Sequence, residues 1–228
     1  MAMPSIAVVG CGRLGLTMAL VFASKGCSVY GVDISSCLVE AINNRTLRTD
    51  EPGVTEALLG LPLGDTRLTA TTSLGTALAA SETVLIAVDT PSTGGDRHYD
   101  HTKVGTVLAA VNAYTRGMCT GNGARVRHVV VCCTVMPGYL VDVGSHILRA
   151  HSASAKEHAV VLNITAATGD TGGADQGLLY NPLFIAQGEI MRGLLNPVSL
   201  YSYSAVRYIM CQNDFCVLVG FCTSWRTC

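Results

Sequence analysis

Gly10-Cys11-Gly12-Arg13-Leu14-Gly15 sets three glycines at the spacing with which a backbone turn grips a diphosphate. The first glycine permits a tight turn, the second lets a pyrophosphate approach the main chain, and the third lets the following helix pack closely on the preceding strand. Free N–H groups and the partial positive charge of the helix start then hold the anion. Asp33 stands 18 residues past Gly15. A carboxylate there accepts hydrogen bonds from the adenosine ribose hydroxyls and repels a 2′-phosphate. Loop and acid together imply a dinucleotide cofactor, and NAD rather than NADP. The contacts read from this motif are Gly10, Cys11, Gly12, Arg13, Leu14, Gly15 and Asp33. Arg13 lies inside the loop and so points at the pyrophosphate or solvent, not at the ribose. A tight strand–helix turn with no ligand is the alternative.

Such a motif works only between a strand and a helix, and the sequence supplies both. Ser5 to Val9 is a short apolar run ending in glycine, which predicts a strand. Leu14 to Lys25 carries apolar residues at helical spacing and is stopped by Gly26. Strand signals then recur at 28–32, 67–70, 83–88, 128–133 and around Leu179. They alternate with helix signals at 35–44, 54–59, 74–80, 102–115, 138–150 and 189–195. That alternation predicts an α/β fold, a Rossmann-type, mostly parallel sheet with helices on both faces. From His151 to Gly177 the pattern loosens into Ala, Thr, Gly and Asp, as in an insertion. After Pro197 no clear period remains, although four of the ten cysteines and the only tryptophan lie there. The expected division is a dinucleotide-binding domain over 1–197, with an insertion at 151–177, and an irregular tail over 198–228.

Composition excludes several functions. Apolar residues make up 49% of the 228-residue chain and charged residues 14%, with a net charge of −1. A chain so apolar can bury a substantial core, and so weakly basic a surface does not suit nucleic acid. No apolar run approaches the ~20 residues of a membrane span. Cys11, Cys27, Cys37, Cys119, Cys132 and Cys133 fall in or beside apolar segments with no zinc spacing, and no leader precedes the first strand. Free thiols in a reducing cytoplasm are expected. Cys211, Cys216, Cys222 and Cys228 are irregularly spaced with no histidine among them, so no metal site is expected. His98 and His101 frame a polar loop in which Asp100 or Thr102 is expected to cap the next helix. Cys132 and Cys133 alternate along a strand, one toward each face, and read as packing. Cys11 reads as a small space-filler.

Several segments together resemble the UDP-glucose/GDP-mannose dehydrogenase family. They are Val8 to Gly15, Gly31-Val32-Asp33-Ile34, Glu51-Pro52-Gly53, Ala87-Val88-Asp89-Thr90-Pro91-Ser92, Cys133-Thr134-Val135-Met136-Pro137-Gly138 and Asn181-Pro182-Leu183-Phe184-Ile185-Ala186-Gln187-Gly188. The resemblance covers roughly residues 5 to 197. It implies oxidation of a sugar C6 alcohol to a carboxylate by two hydride transfers to NAD, on a nucleotide-sugar substrate, in full-length enzymes that form homo-oligomers. It implies that Thr90, Pro91 and Thr134 line the nicotinamide side, with Val88 beside them. Thr134 further matches a threonine that helps orient a catalytic water. Gln187 stands where the family has a glutamate near the cofactor. Phe184, Ile185 and Ala186 are the expected substrate contacts.

Two departures follow from the same comparison. Leu183 replaces the family glutamate that performs acid–base work in the hydrolytic half, and a leucine cannot move a proton. Losing such a group costs ~100- to 10,000-fold in rate. The family's nucleophilic cysteine, with its lysine and asparagine, has no counterpart after Pro197. The chain is expected to leave the family pattern there through a frame change or a truncated reading frame, which the transcript sequence would test. The readings that stand are a nucleotide-sugar dehydrogenase domain, an NAD-binding fragment without catalysis, and another Rossmann dehydrogenase of the β-hydroxyacid type. The Glu51-Pro52-Gly53 loop and the Asn181 segment count against the third.

Overall fold

A computed structural model describes residues 4–94, 99–117, 126, 128–149, 179–180 and 188–195. The insertion expected at 151–177, the boundary at Pro197 and the tail lie outside the described residues.

The strands are β1 (Ser5–Val9), β2 (Ser28–Val32), β3 (Leu68–Thr71), β4 (Thr83–Ile86), β5 (His128–Val131) and β6 (Leu179–Tyr180). They form one sheet in the order β3-β2-β1-β4-β5-β6, and every neighbouring pair is parallel. The order reverses at β1, whose neighbours β2 and β4 leave in opposite directions. In such sheets ligands bind outside the carboxyl ends of the strands at that reversal. The helices are α1 (Arg13–Ser24), α2 (Ser36–Asn43), α3 (Val54–Leu59), α4 (Leu74–Ala80), α5 (Thr102–Gly117), α6 (Ser145–Arg149) and α7 (Ile190–Leu195).

Both faces of the sheet are covered, which is why its central strands read as continuous apolar runs rather than alternating ones. Along β1 the pleat sends Ile6 and Val8 into one core and Ala7 and Val9 into the other. The first core is filled by α1, α2, α3 and α7, including Leu16, Leu20, Ile42, Leu58, Ile190 and Leu194. The second is filled by α4, α5 and α6, including Leu78, Val104, Leu108 and Leu148. Cys132 and Cys133 divide between the two cores and both are buried, as the alternation predicts.

Three departures from the sequence expectation are informative. β4 and β5 end at Ile86 and Val131, short of the predicted Val88 and Cys133. The ladder continues for one more bond at each end, Ala87 N–H to Val9 C=O and Cys132 N–H to Ile86 C=O, each 2.8 Å. Beyond that the apolar Val88 and Cys133 pack in the second core outside the ladder. The helix expected over 138–150 opens instead with a π-helical stretch, Leu140–Gly144, before α6. A hydrophobic period over so few residues does not separate the two helical pitches.

Candidate functional site

The glycine loop joins β1 to α1 at the reversal. Gly10 has φ +94°, and a side chain there would meet the Ala87 carbonyl oxygen at 2.6 Å. A side chain on Gly15 would run into the Gly10 carbonyl oxygen. Both positions therefore admit only glycine, one for the turn and one for the close approach of helix to loop. Gly12, between them, has nothing within 4 Å of where a side chain would stand, so the loop presents its backbone to open space. Gly12 caps α1 with no side-chain hydrogen bond, and the first turn holds no acidic residue. The first turn of α1 therefore brings no carboxylate of its own to the positive end of the helix.

Asp33 leaves the end of β2 and turns back to this loop. Its Oδ2 accepts the Cys11 N–H at 2.9 Å and its Oδ1 accepts the Ser35 N–H at 3.0 Å. Gly10 N–H reaches the Val32 carbonyl at 2.8 Å. The carboxylate is half-buried and fixed on both oxygens, with lone pairs left over for a further donor. Cys11 is 3% exposed, and a side chain on Gly31 would meet its Sγ at 2.9 Å. Burial, and then the nearby Asp33 charge, push the Cys11 thiol up to about 12. It is a protonated space-filler, not a nucleophile. Arg13 and Leu14 open α1 beside Gly12, Arg13 exposed and Leu14 half-buried.

On the other side of the reversal, Val88 and Thr90 are half-buried and Pro91 exposed, all just past β4. Thr134 is exposed just past β5. The structure therefore brings the glycine loop, Asp33, Val88, Thr90, Pro91 and Thr134 to one carboxyl edge. Gln187, Phe184, Ile185 and Ala186 lie outside the described residues.

Two clasps stand behind this edge. His101 Nε2 accepts the Met136 N–H at 3.1 Å, its ring stacks on Tyr139 with centroids 4.2 Å apart, and Tyr139 donates to the His101 carbonyl at 3.4 Å. They tie the start of α5 to the loop bearing Thr134. Burial lowers the His101 pKa, against the raising effect of Asp100. Asp100 itself accepts the Thr102 N–H and hydroxyl at 2.8 and 2.6 Å, the capping role expected of it. The second clasp is Glu51, 3% exposed, which accepts the N–H groups of Gly188 and Ile190. A buried carboxylate is costly unless paired, yet sequence offers no signal for a partner so far along the chain. A cavity of about 480 Å³ lined by Thr93, Tyr99, Asp100, His101, Thr102, Gly105 and Tyr139 opens beside α5. No glycine-loop residue lines it. His98 lies outside the described residues. Among the described residues no cluster of His, Cys, Asp or Glu could hold a metal ion, and no helix is long and apolar enough to cross a membrane.

Residues 4–200 match the model of the UDP-glucose/GDP-mannose dehydrogenase family, NAD binding domain. The chain belongs to this family. NAD is accordingly the cofactor of the domain. The chain is 30% identical over 189 residues to a GDP-mannose 6-dehydrogenase of Pseudomonas savastanoi pv. phaseolicola, an alignment covering 82% of this chain and 37% of the relative. It is 25% identical over 221 residues to a UDP-glucose 6-dehydrogenase of Rhizobium meliloti, covering 92% and 50%. Among solved structures, a ternary complex of GDP-mannose dehydrogenase from Pseudomonas aeruginosa matches with a TM-score of 0.67 and 25% identity, over 84% of this chain and 39% of that one. The chain thus spans between 37% and 50% of these proteins' length.

Proposed function

We propose that this chain is the cofactor half of a nucleotide-sugar 6-dehydrogenase, acting on a UDP- or GDP-sugar in the cytoplasm, and that alone it binds NAD without turning over. The observation that carries the reading is the Asp33 carboxylate held against the glycine loop, in a chain of this family. When bound, NAD supplies the hydride acceptor. The chain's own part is to hold it. The loop amides and the start of α1 take the diphosphate, and the free lone pairs of Asp33 take the ribose hydroxyls. Thr90 and Pro91, with Val88, stand at the edge where the nicotinamide half belongs, and Gln187 follows from the family pattern. Thr134, exposed at the same edge, is suited to orient a water through its hydroxyl. Phe184, Ile185 and Ala186 are assigned to the sugar side. Leu183 provides no proton, and no cysteine in the family's nucleophile context follows. The five cysteines of the described residues are free thiols, which suits a reducing compartment. Purified chain mixed with NAD and either UDP-glucose or GDP-mannose is expected to form no NADH. Steady NADH formation would overturn the fragment reading while leaving the cofactor assignment intact.

A further inference from the structure

We propose that His101 is a positioning residue for the loops past β4 and β5, and that through it the grip on the nicotinamide half of the cofactor depends on pH; this rests on the dinucleotide reading above. The strand order says which half is concerned. Asp33, just past β2, marks the adenosine half, so the rest of a dinucleotide crosses the reversal and lies over the ends of β4 and β5. Thr90 and Pro91 follow β4 there, and Thr134 follows β5.

Asp100 and His101 stitch those two loops together. The Asp100 N–H donates to the Pro91 carbonyl at 2.9 Å, and Ser92 and Tyr99 form an antiparallel bridge beside it. One residue on, His101 Nε2 accepts the Met136 N–H at 3.1 Å. The segment bearing Thr134 is therefore held on both sides. Before it, the Cys132 N–H bonds the Ile86 carbonyl and Cys133 is buried in the second core; after it, Met136 hangs on the imidazole. Thr134 is the exposed residue between these anchors. The ring is fixed in its turn by the stack on Tyr139. Gly105, one turn along α5, leaves room for the Tyr139 hydroxyl, since a side chain there would come within 3.3 Å of it.

The chemistry of the His101 bond makes it conditional. A nitrogen that accepts an N–H carries no proton, so the ring is neutral with its hydrogen on Nδ1. Protonation sets a second N–H against that of Met136, and an attraction becomes a repulsion. Burial lowers the His101 pKa, against the raising effect of the Asp100 carboxylate. On its own side of the clasp stand Tyr99, Asp100 and Lys103, and Lys103 is paired with Asp89 at 2.9 Å. From the facing loop come the Tyr139 phenol, raised by burial, and the Cys133 thiol that bears on it, pushed by burial up to about 11. Histidine is the side chain whose charge ordinarily changes between about pH 5 and 8. A cofactor that needs the clasp closed therefore binds less tightly as His101 takes up its proton.

The test titrates the full 228-residue chain with NAD and with ADP-ribose, which lacks the nicotinamide, by calorimetry at about pH 7.5 and at about pH 5. ADP-ribose shares the adenosine and the diphosphate, so any titration at the glycine loop cancels in the ratio of the two affinities. Wild type is expected to bind NAD about tenfold more tightly than ADP-ribose at the higher pH, and the ratio should fall toward one at the lower. H101F keeps a ring beside Tyr139 but offers no acceptor, and should show the low ratio at both pH values. H101Q offers a carbonyl oxygen that takes up no proton, so its ratio should not change with pH. The proposal is overturned if the wild-type ratio is the same at both pH values, if H101F keeps the wild-type profile, or if H101Q retains the pH dependence. It is overturned equally if NAD and ADP-ribose weaken in parallel in H101F, which marks a purely structural role. Should neither variant fold, the wild-type profile decides. Wild type binding neither ligand would instead sink the dinucleotide reading on which this one rests.

Discussion

The two sides of the reversal are held together in opposite ways. At the glycine loop the hydrogen bond to Asp33 is short in sequence: Cys11 to Asp33 spans 22 residues, and β1, α1 and β2 follow one another directly. Past β5 the loop bearing Thr134 is fixed from a distance, by His101 across 35 residues, and Glu51 holds the start of α7 across 137. A local site can be written as a motif, because one stretch of chain contains both the group and its partner. A site assembled at long range has no such signature, and a change far from the cofactor can disturb it.

The largest effect should come from the adenosine side. Gly15→Ala drives a methyl into the Gly10 carbonyl. It should abolish NAD binding and lower the unfolding free energy by about 3 kcal/mol, read from the urea midpoint. A variant that binds NAD normally would show that loop and helix do not meet as closely as described. Next, Leu194→Ala empties a buried position of α7 and should lower stability by about 2–3 kcal/mol. An unchanged urea midpoint would show that Leu194 is not packed in the core it shares with Leu16 and Leu20 of α1.

Removing the Asp33 carboxylate is a smaller, more specific perturbation. Asp33→Ala should weaken NAD by roughly 10- to 100-fold, the loss of a charge-assisted hydrogen bond, and weaken NADP less. Equal losses for both cofactors would remove Asp33 from the ribose. Ser35→Ala deletes the Oγ that accepts the Leu38 N–H at 3.3 Å and should cost about 1 kcal/mol of stability, with NAD affinity untouched.

The smallest effect tests the far side. Burial holds the His101 pKa below its ordinary 6.5, so the unfolded chain takes up the proton first as the medium is acidified. The contribution of His101 is therefore present above pH 6.5 and is lost as pH falls through that value toward the lower folded one. Protonation also removes the acceptor for the Met136 N–H. The melting temperature of wild type should accordingly drop more steeply below that pH than that of His101→Gln. Identical slopes would show that the clasp does not matter.

How much of this was legible follows the same division. Val54–Leu59 and Leu74–Ala80 appear as helices at the bounds the sequence predicts, since each is a short apolar segment bracketed by a turn signal or a serine cap. The glycine loop and Asp33 were readable because spacing alone defines them. The ends of β4 and β5 were not, because Val88 and Cys133 stay apolar past the last ladder bonds, and apolarity reports burial rather than hydrogen bonding. The π-helical stretch after Tyr139 escaped for a similar reason. Glu51 was noticed as part of a polar loop and of the family-like Glu51-Pro52-Gly53 segment, with no role of its own. Its burial and its two amide partners depend on α7 arriving beside it, which no local pattern encodes.

The central claim is that Asp33 and the glycine loop form one dinucleotide grip selective for an unphosphorylated ribose. Calorimetric titration of the wild-type chain with NAD and with NADP tests it most directly. Saturable NAD binding at least about tenfold tighter than NADP, the worth of one charge-assisted contact, is the predicted result. Equal affinities, or no binding of NAD, would contradict it.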